Sequence, residues 1–404
     1  MLDRADPLAH ARRRFVLPKG LVYLDGNSLG ALPASAEEKL RSVISEEWGD
    51  GLIRSWNEAG WFELPLTLGD RLGHLLGAAA GQVAVCDSTT INLYKALTVA
   101  LALRAERSVL VMDRDEFPTN LYIAESVAAT AERLIERRLV DPETEPDRIV
   151  DDDVAVLALS HVNYRTAALR DLAAISARAH EVGALVVWDL CHSAGVVPIA
   201  LDDAEVDFAV GCSYKFLNGG PGAPAWIYVA RRHLEDAEQP LTGWMGHAAP
   251  FDFDGDYRPD PGIRRFLCGT PPILSMQAVA LGLDSFAGVD IAAVREKAIA
   301  LTELFIERVA GAPAGRGLRL ISPRDAARRG AQVSFEHEHG YALIQALIAR
   351  GIIGDYREPG VMRFGFAPLY LSFAEVARAA DELVACVEDE VWRQPRFASR
   401  SVVT

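Results

Sequence analysis

The middle of the chain alternates short apolar runs with stretches of helical periodicity. Residues 171–182 carry a helical pattern, and Gly183 directly after them suits a C-terminal cap. Continuous apolar strands separated by helices predict a parallel sheet that is covered on both faces. Each predicted strand ends at a polar residue, and the four runs are residues 108–112, 154–159, 184–188 and 207–210.

The pattern changes after about residue 280. Helical periodicity and apolar runs now alternate in a way typical of a smaller α+β unit. We expect helices at 296–309, 341–350 and 373–392, and strands at 332–336 and 361–366. The Gly- and Pro-rich residues 250–272 lie between the two regions and predict long loops beside the active site.

Composition and charge narrow the function classes. The 404 residues are 50% hydrophobic and carry a net charge of −15, which excludes disorder, collagen-like repeats and a general affinity for nucleic acid or anionic membranes. No apolar run approaches the roughly 18–20 residues that a membrane helix needs, and the N-terminus lacks a signal-peptide pattern. Five cysteines without a CxxC pair argue against a disulfide framework or a metal site. We therefore expect a cytoplasmic protein.

Two charged residues at strand ends suggest cofactor chemistry. Lys215 follows the fourth strand and precedes a glycine-rich turn, where a lysine held in a cleft can form a Schiff base. Asp189 ends the preceding strand, and a carboxylate of this kind is what the pyridinium nitrogen of pyridoxal phosphate requires. His192 follows three residues later. Taken singly, each has an alternative: a surface lysine, a capping aspartate and a hydrogen-bonded histidine.

Three other segments carry candidate binding residues. Thr89 and Thr90 begin a strongly helical run, and hydroxyl groups at a helix start suit a phosphate, although an ordinary cap is the alternative. Phe117 follows a strand end, where it would stack on a flat ring or join the core. Arg363 interrupts an apolar strand, where a charge needs a partner. It would bind a substrate carboxylate, form an internal salt bridge, or face water from an edge strand.

Together these segments resemble the kynureninase family of pyridoxal-phosphate enzymes, which has the aspartate aminotransferase fold type. The resemblance covers residues 23 to about 371. The matching segments are YLDGNSLG (23–30), SWN (55–57), TINL (90–93), FPTN (117–120), SHVNYRT (160–166), WDLCH (188–192), CSYKFLN (212–218), GW (243–244), GTPP (269–272) and Arg363.

The resemblance implies an α/β fold of type I, with a large, mainly parallel seven-stranded sheet domain covered by helices on both faces and a smaller α+β domain. Residues 1–50 would pack with the small domain, 51–280 would form the large cofactor-binding domain, and 281–404 would form the small domain. The site of this fold type lies between the two subunits of a homodimer.

The resemblance also assigns roles to residues. Lys215 would link covalently to the cofactor, and Lys215 and Tyr214 would be catalytic. Arg363, Trp56 and Thr270 would bind substrate, and Trp244 and Thr270 would come from the other subunit. The residues implied to bind the cofactor are Thr89, Thr90, Phe117, Pro118, Thr119, Asn120, Ser160, Asp189, His192, Tyr214, Lys215, Trp244 and Thr270.

The implied reaction is hydrolysis of L-kynurenine to anthranilate and L-alanine, in tryptophan catabolism and NAD-related metabolism. Tyr214 is our candidate proton donor to the β-carbon. Trp56 and Thr270 give an apolar lining with one hydroxyl, so we expect 3-hydroxykynurenine to be the poorer substrate.

Two positions depart from the family pattern. Asn120 stands where a carboxylate is common, which puts a charge-dependent role there in doubt. Ala167 stands where glycine is common, and alanine should be tolerated there if the backbone lies in an ordinary region.

Three other functions compete with this reading. A cysteine desulfurase of the same fold type would use a loop cysteine, for which Cys268 is the candidate, and commonly has His where Tyr214 stands. A cofactor-binding regulator or an inactive paralogue is a second alternative. A nicotinamide dehydrogenase is poorly supported because no GxGxxG follows an early strand.

Overall fold

The computed structural model describes residues 2–141, 144, 146–397, 399 and 400. Met1 and residues 401–404, at the ends of two predicted domains, lie outside the described residues. The strands in chain order are β1 (Phe15–Val16), β2 (Val22–Tyr23), β3 (Leu32–Pro33), β4 (Val83–Val85), β5 (Val109–Asp113), β6 (Glu136–Val140), β7 (Val154–Ser160), β8 (Leu185–Asp189), β9 (Phe208–Gly211), β10 (Trp226–Val229), β11 (Arg319–Leu320), β12 (Gln332–Glu336), β13 (Ile352–Ile353), β14 (Asp355–Arg357) and β15 (Val361–Gly365).

The helices cover both faces of the large sheet and the outside of the small one. Short 3-10 helices and one π-helical stretch (Val43–Gly51) connect them. The α-helices in chain order are α1 (Leu2–Ala5), α2 (Ala36–Ser42), α3 (Ser55–Glu58), α4 (Leu64–Leu75), α5 (Thr89–Ala102), α6 (Pro118–Thr130), α7 (Pro146–Ile149), α8 (Leu172–Glu181), α9 (Arg231–Leu234), α10 (Ile273–Asp284), α11 (Ile291–Gly311), α12 (Gly340–Ala349) and α13 (Phe373–Glu388).

The large sheet has seven strands in the order β4-β10-β9-β8-β7-β5-β6. Neighbours from β9 to β6 pair in parallel, whereas β10 runs antiparallel to both β9 and β4. Alternate residues of β5 enter two different clusters of buried side chains: Val109 and Val111 pack on one face, and Leu110 and Met112 on the other. Both faces are therefore buried, as the continuous apolar runs predicted.

The four predicted strands of the large sheet are confirmed to within one residue at each end. Helix α8 is confirmed as well: the Asp171 side chain accepts from the Ala174 N–H and caps its start, and Gly183 follows its end with a φ of +79°. Strand β6 was missed because its sequence, ERRLV, is charged. It lies at the sheet edge, where polar side chains reach solvent.

A second sheet of four antiparallel strands, in the order β11-β12-β15-β14, forms the centre of the C-terminal region. The N-terminal segment contacts this region: β2 pairs with β13, Arg12 forms an ion pair with Glu375, and Asp6 forms one with Lys297. The domain boundaries at residues 50 and 280 stay a prediction.

The condition for tolerating alanine at position 167, an ordinary backbone region, is not met. The φ of Ala167 is +62°, in the left-handed region, and the residue is fully buried. The reason is a tight turn in which the Asn163 side chain accepts from the backbone N–H groups of Arg165 and Thr166, while the Ala167 N–H donates to the Asn163 carbonyl. This turn favours glycine.

No helix in the described part of the chain combines the length and apolar character that crossing a membrane requires. Among those same residues, no group of three or more His, Cys, Asp or Glu side chains is arranged to hold a metal ion. The five cysteines are free thiols.

Candidate active site

The carboxyl ends of β7 and β8, the loop after β9 and the start of α5 enclose a cavity of about 290 Å³. This is the edge of a parallel sheet where ligands of such folds bind. The cavity is lined by eleven of the residues that the sequence singled out, which are Thr89, Thr90, Phe117, Thr119, Asn120, Ser160, Asp189, His192, Tyr214, Lys215 and Arg363.

Lys215 and His192 contact each other at this edge. The Lys215 Nζ lies 2.9 Å from the His192 Nε2. His192 is buried, and its burial, together with the nearby Lys215, lowers the pKa of the imidazole well below its ordinary value. The ring is therefore neutral at physiological pH, and its Nε2 can accept a hydrogen bond from Lys215.

Asp189 is held by hydrogen bonds to both of its carboxylate oxygens. Its Oδ1 accepts from the Cys191 N–H at 2.8 Å, and its Oδ2 accepts from the Asn120 Nδ2 at 2.9 Å. Among the described residues, no lysine or arginine forms an ion pair with Asp189. The carboxylate is thus oriented, and a cation in the cavity would be its counter-charge.

Glu116 is a buried carboxyl group behind Asp189 that the sequence reasoning missed. Its Oε1 accepts from the Ser160 N–H at 2.7 Å, and its Oε2 lies 2.5 Å from the Ser160 Oγ and 3.2 Å from the Asn120 Nδ2. Burial raises the pKa of Glu116 to about 8. The available signal was its place just after a predicted strand, in the acidic run that begins at Asp113.

The start of α5 forms another wall of the cavity. The Ser88 Oγ accepts from the Ile91 N–H and caps the helix, and Thr89 and Thr90 are its first two residues. Ser88 lines the cavity and was not predicted. Free N–H groups in the first turn and the positive end of the helix dipole favour a phosphate here.

Two aromatic residues flank the cavity. Phe117 is 44% exposed, and its ring packs edge-on against Tyr164, with centroids 5.3 Å apart. Pro118 directly follows and begins α6, but it does not line the cavity. Tyr214 precedes Lys215, and the adjacent Cys212 and burial raise the pKa of its phenol above the ordinary value. The phenol therefore keeps its proton at neutral pH.

Two arginines of the C-terminal region also line the cavity. Arg363 on β15 is 2% exposed and forms a two-pronged ion pair with Asp355, its cross-strand neighbour on β14. Its remaining bonds reach the Tyr164 carbonyl at 2.7 Å and the Ser28 Oγ at 3.2 Å. Arg363 therefore has an internal carboxylate as its partner, and it also lines the cavity, where a substrate carboxylate could bind.

Arg357 is the second arginine, and the sequence reasoning missed it. Its Nη2 lies 2.9 Å from an Asp355 oxygen, and 38% of its side chain is exposed. Asp25 lies within the same cluster of charges, and burial followed by the charge of Asp355 raises its pKa to about 7. The available signal was the position of Arg357, a basic residue six positions before Arg363.

Besides Pro118, three predicted residues do not line this cavity in the single chain. Trp56 and Trp244 contact each other, with ring centroids 6.4 Å apart. Thr270 lines a separate cavity of about 160 Å³. Cys268, the candidate loop cysteine of a desulfurase, lies in that separate cavity too, and its Sγ donates to the Leu241 carbonyl at 2.9 Å.

The residues around the main cavity fit pyridoxal phosphate. The cavity presents an amine (Lys215), a carboxylate without a cationic partner (Asp189), an exposed aromatic side chain (Phe117) and a helix start with two threonines. The His192 Nδ1 is buried without a hydrogen-bond partner in the described structure. An aldehyde, a pyridinium nitrogen, a flat ring and a phosphate are the complements of this donor set.

Comparison with known proteins matches this chain to one family. A family model described as the kynureninase C-terminal domain matches residues 294–383. A kynureninase of Burkholderia pseudomallei (strain 1106a) is 52% identical over 407 aligned positions, which cover 100% of this chain and 98% of that protein. A kynureninase of Pseudomonas fluorescens is 51% identical with the same coverage.

Solved structures of pyridoxal-phosphate enzymes share the fold. A cysteine desulfurase from Escherichia coli superposes with a TM-score of 0.79 at 20% identity, and the match covers 95% of this chain and 98% of that one. A lyase mutant described with glycine covalently linked to its pyridoxal-phosphate cofactor gives a TM-score of 0.80 at 16% identity, covering 92% and 98%. These identities show the fold alone, and they confirm the predicted fold class.

Proposed function

Because the chain belongs to the kynureninase family, we propose that it hydrolyses L-kynurenine to anthranilate and L-alanine with pyridoxal phosphate as its cofactor. The observation that carries this proposal is that Lys215, Asp189 and the start of α5 line one cavity. A lysine, a carboxylate and a phosphate-binding helix start are the three features that this cofactor needs, and the chain supplies them from elements far apart in sequence.

Each part of the cofactor has a residue to hold it. Lys215 would form the covalent link, Asp189 would pair with the ring nitrogen, and Phe117 would pack against the ring. Thr89 and Thr90 would hold the phosphate, with Ser88 beside them. When bound, pyridoxal phosphate supplies the electron sink that stabilises negative charge at the α-carbon of an amino-acid substrate.

The arginine side of the cavity binds the substrate carboxylate. Arg363 and Arg357 carry two positive charges, and Asp355 supplies one negative charge in direct contact with both. The remaining positive charge favours an anionic group, and a guanidinium offers a carboxylate two parallel hydrogen bonds. The substrate is thereby oriented with its α-carbon toward Lys215.

Two side chains of this chain move protons. The Lys215 Nζ, which hydrogen-bonds to neutral His192, removes the α-proton of the bound substrate and returns a proton to the α-carbon after the carbon–carbon bond has broken. Water adds to the ketone carbon, the bond between the β-carbon and that carbon breaks, and the β-carbon gains a proton. Tyr214 is the donor of this last proton, because its phenol stays protonated at neutral pH.

Product formation by the purified protein tests this proposal. The protein with pyridoxal phosphate and L-kynurenine is expected to release anthranilate, measured by its fluorescence, and alanine in equal amount. Lys215→Ala is expected to abolish release, whereas Lys39→Ala, which removes a surface lysine, is expected to leave it unchanged. Absence of anthranilate from the wild-type protein would refute the proposal.

A cysteine desulfurase activity is not favoured. Cys268 lies in a different cavity from Lys215, and Tyr214 occupies the position before the lysine. We expect no sulfide when cysteine replaces L-kynurenine in the same assay.

We propose that L-kynurenine is preferred over 3-hydroxykynurenine. Trp56 and Thr270 would border the aryl group and offer one hydroxyl, and a buried substrate hydroxyl without a partner weakens binding. The two values of kcat/KM decide this, and a higher value for the hydroxylated substrate would overturn it.

We also propose that the active site is completed by a second copy of the chain. Trp244 and Thr270 lie outside the cavity of their own chain, and large apolar side chains are exposed nearby, including Trp48 (55%), Ile53 (77%) and Phe253 (86%). An apolar hollow of about 420 Å³ between Trp48 and Leu274 belongs to the same surface. Large exposed apolar surfaces mark protein interfaces.

Mixing inactive variants tests the shared site. Lys215→Ala and Trp244→Ala subunits would each be impaired alone, but a mixed dimer has one site free of both changes. When equal amounts of the two variants exchange subunits at random, half of the dimers are mixed and each has one unchanged site. About a quarter of wild-type activity is therefore expected. No recovery in demonstrably mixed dimers would contradict a shared site. The cytoplasmic location and the role in tryptophan catabolism remain predictions from the sequence.

A further inference from the structure

Buried Glu116, buried Asn120 and half-buried Asp189 form one hydrogen-bonded chain at the cavity. Glu116 follows β5, Asn120 lies in the first turn of α6, and Asp189 ends β8. The Asn120 Nδ2 lies 2.9 Å from the Asp189 Oδ2 and 3.2 Å from the Glu116 Oε2. Glu116 is 3% exposed and Asn120 is 5% exposed, so water cannot replace these contacts.

The amide of Asn120 is the donor between two carboxyl groups. An amide nitrogen carries two hydrogens, and the geometry directs one to each carboxyl. Ser160 fixes the far side of Glu116 through its backbone N–H and its hydroxyl. Neither Glu116 nor Asp189 is ion-paired with a lysine or arginine in the part of the chain that the structure describes.

We propose that Asn120 is a positioning residue that holds Asp189 against the ring nitrogen of the cofactor, and that Glu116 is the second anchor of its amide. This inference rests on the proposed function, since it concerns how the same site holds pyridoxal phosphate. It also answers the doubt about position 120. Here an amide, rather than a carboxylate, suits the position, because Glu116 already supplies a carboxyl group beside it.

An aspartate at position 120 would disturb this arrangement. It would offer no N–H to either neighbour, and it would place three carboxyl groups in direct contact. The disturbance depends on pH, because burial raises the pKa of Glu116 to about 8. The other charged groups near Glu116 are Asp113, which is paired with Arg170, and Asp189. Above pH 8 Glu116 loses its proton, so Glu116, Asp189 and the introduced aspartate are all charged. Their mutual repulsion is therefore largest above pH 8.

The test compares four full-length proteins: the wild type, Asn120→Asp, Glu116→Gln and the double variant. The dissociation constant for pyridoxal phosphate is measured by absorbance titration at pH 7 and at about pH 9. We expect Asn120→Asp to weaken binding about tenfold at pH 9 and less at pH 7. We expect the double variant to bind pyridoxal phosphate at least about threefold more tightly than Asn120→Asp at pH 9. The glutamine amide would donate to the new carboxylate, and the charge of Glu116 would be absent.

Glu116→Gln alone completes the set, and we expect it to weaken cofactor binding by about threefold or less, because its amide oxygen can still accept from the Asn120 amide. Far-UV circular dichroism and the unfolding temperature of each protein without cofactor report whether it folds. If Asn120→Asp does not fold, Asn120→Ala replaces it, since this variant removes the donor without adding charge. We then expect cofactor binding to weaken at least about threefold at both pH values.

The outcomes separate this inference from the proposed function. Equal dissociation constants for the wild type and Asn120→Asp at pH 9, or an Asn120→Asp effect that is the same in the Glu116→Gln background, would overturn the inference. Unchanged binding by Asn120→Ala would overturn it as well. A wild-type protein that binds no pyridoxal phosphate would overturn the proposed function itself.

Discussion

The two sides of the cavity carry charges of opposite sign that are not fully paired within the protein. On the carboxyl side, formed by Asp189, Asn120 and Glu116, the acidic groups are held by N–H and O–H donors and lack an arginine or lysine partner among the described residues. On the arginine side, Arg357 and Arg363 share the single carboxylate of Asp355. One side thus has an excess of negative charge and the other an excess of positive charge.

This difference orients both ligands. A buried charge is costly unless it is paired, so each side is stabilised by a ligand group of the opposite sign. The protonated ring nitrogen of the cofactor matches the carboxyl side, and the substrate carboxylate matches the arginine side. Lys215 lies in the same cavity as both. The charge of −15 over the whole chain predicts neither arrangement, because local groups dominate within a Debye length of about 8 Å.

The largest expected effect comes from removing the charge on the carboxyl side. Asp189→Asn keeps the size of the side chain but removes its charge, and two unit charges 4 Å apart interact by about 4 kcal/mol near a protein surface. We expect kcat/KM for L-kynurenine to fall about 10³-fold. Asp252→Asn, which changes an exposed aspartate, is the control. A loss below about tenfold would remove Asp189 from the cofactor site.

Removing a charge on the arginine side should weaken binding of the substrate but not of the cofactor. Arg357→Ala is expected to raise the KM for L-kynurenine about tenfold, because a charge-assisted hydrogen bond is lost, while the affinity for pyridoxal phosphate stays unchanged. Steady-state kinetics and a cofactor titration measure the two quantities, and Arg41→Ala on the exposed face of α2 is the control. Weaker cofactor binding with an unchanged KM would reverse the assignment of the two sides.

The arginine side should also depend on pH. Burial and the charge of Asp355 raise the pKa of Asp25 to about 7. Below pH 7 Asp25 is neutral and the arginines keep a net positive charge, whereas above pH 7 the Asp25 carboxylate offsets it. We therefore expect the KM for L-kynurenine to rise roughly fivefold between pH 6 and pH 8. The rise should be absent in Asp25→Asn, and its persistence in that variant would exclude Asp25 as its origin.

The smallest effect concerns the turn that joins the two sides. Residues 160–167 run from Ser160, which contacts Glu116, past the Tyr164 carbonyl, which accepts from Arg363. Ala167→Gly removes a left-handed alanine and is expected to raise the free energy of unfolding by about 0.5 kcal/mol. Urea unfolding measures it, and KM should not change.

The matched control for that turn is Ala124→Gly inside α6, where glycine should lower the free energy of unfolding by about 1 kcal/mol. If Ala167→Gly were as destabilising as this control, strain at the turn would be excluded.

The sequence predicted the carboxyl side better than the arginine side. Asp189 and Lys215 follow neighbouring strands, and the carboxyl ends of parallel strands meet at one edge, so their proximity follows from the strand pattern. The contact between Asp355 and Arg363 depends instead on the register of two antiparallel strands, which no short-range pattern specifies.

Burial of Glu116 was equally hidden from the sequence. Its partner Ser160 lies 44 residues away, and an acidic residue after a strand is more often a solvated one. The roles implied for Trp244 and Thr270 require the proposed second copy of the chain, and in the single chain neither residue lines the cavity. The family resemblance, and not the physical pattern, led to these residues.

The carboxyl side and the arginine side of the cavity are expected to bind groups of opposite charge. A crystal structure of the protein with pyridoxal phosphate and a substrate analogue that carries an α-carboxylate but cannot be hydrolysed tests this. We predict the ring nitrogen within about 3 Å of an Asp189 oxygen and the α-carboxylate within about 3 Å of a guanidinium nitrogen of Arg357 or Arg363. A carboxylate bound elsewhere, with both arginines still contacting only protein groups, would contradict the account.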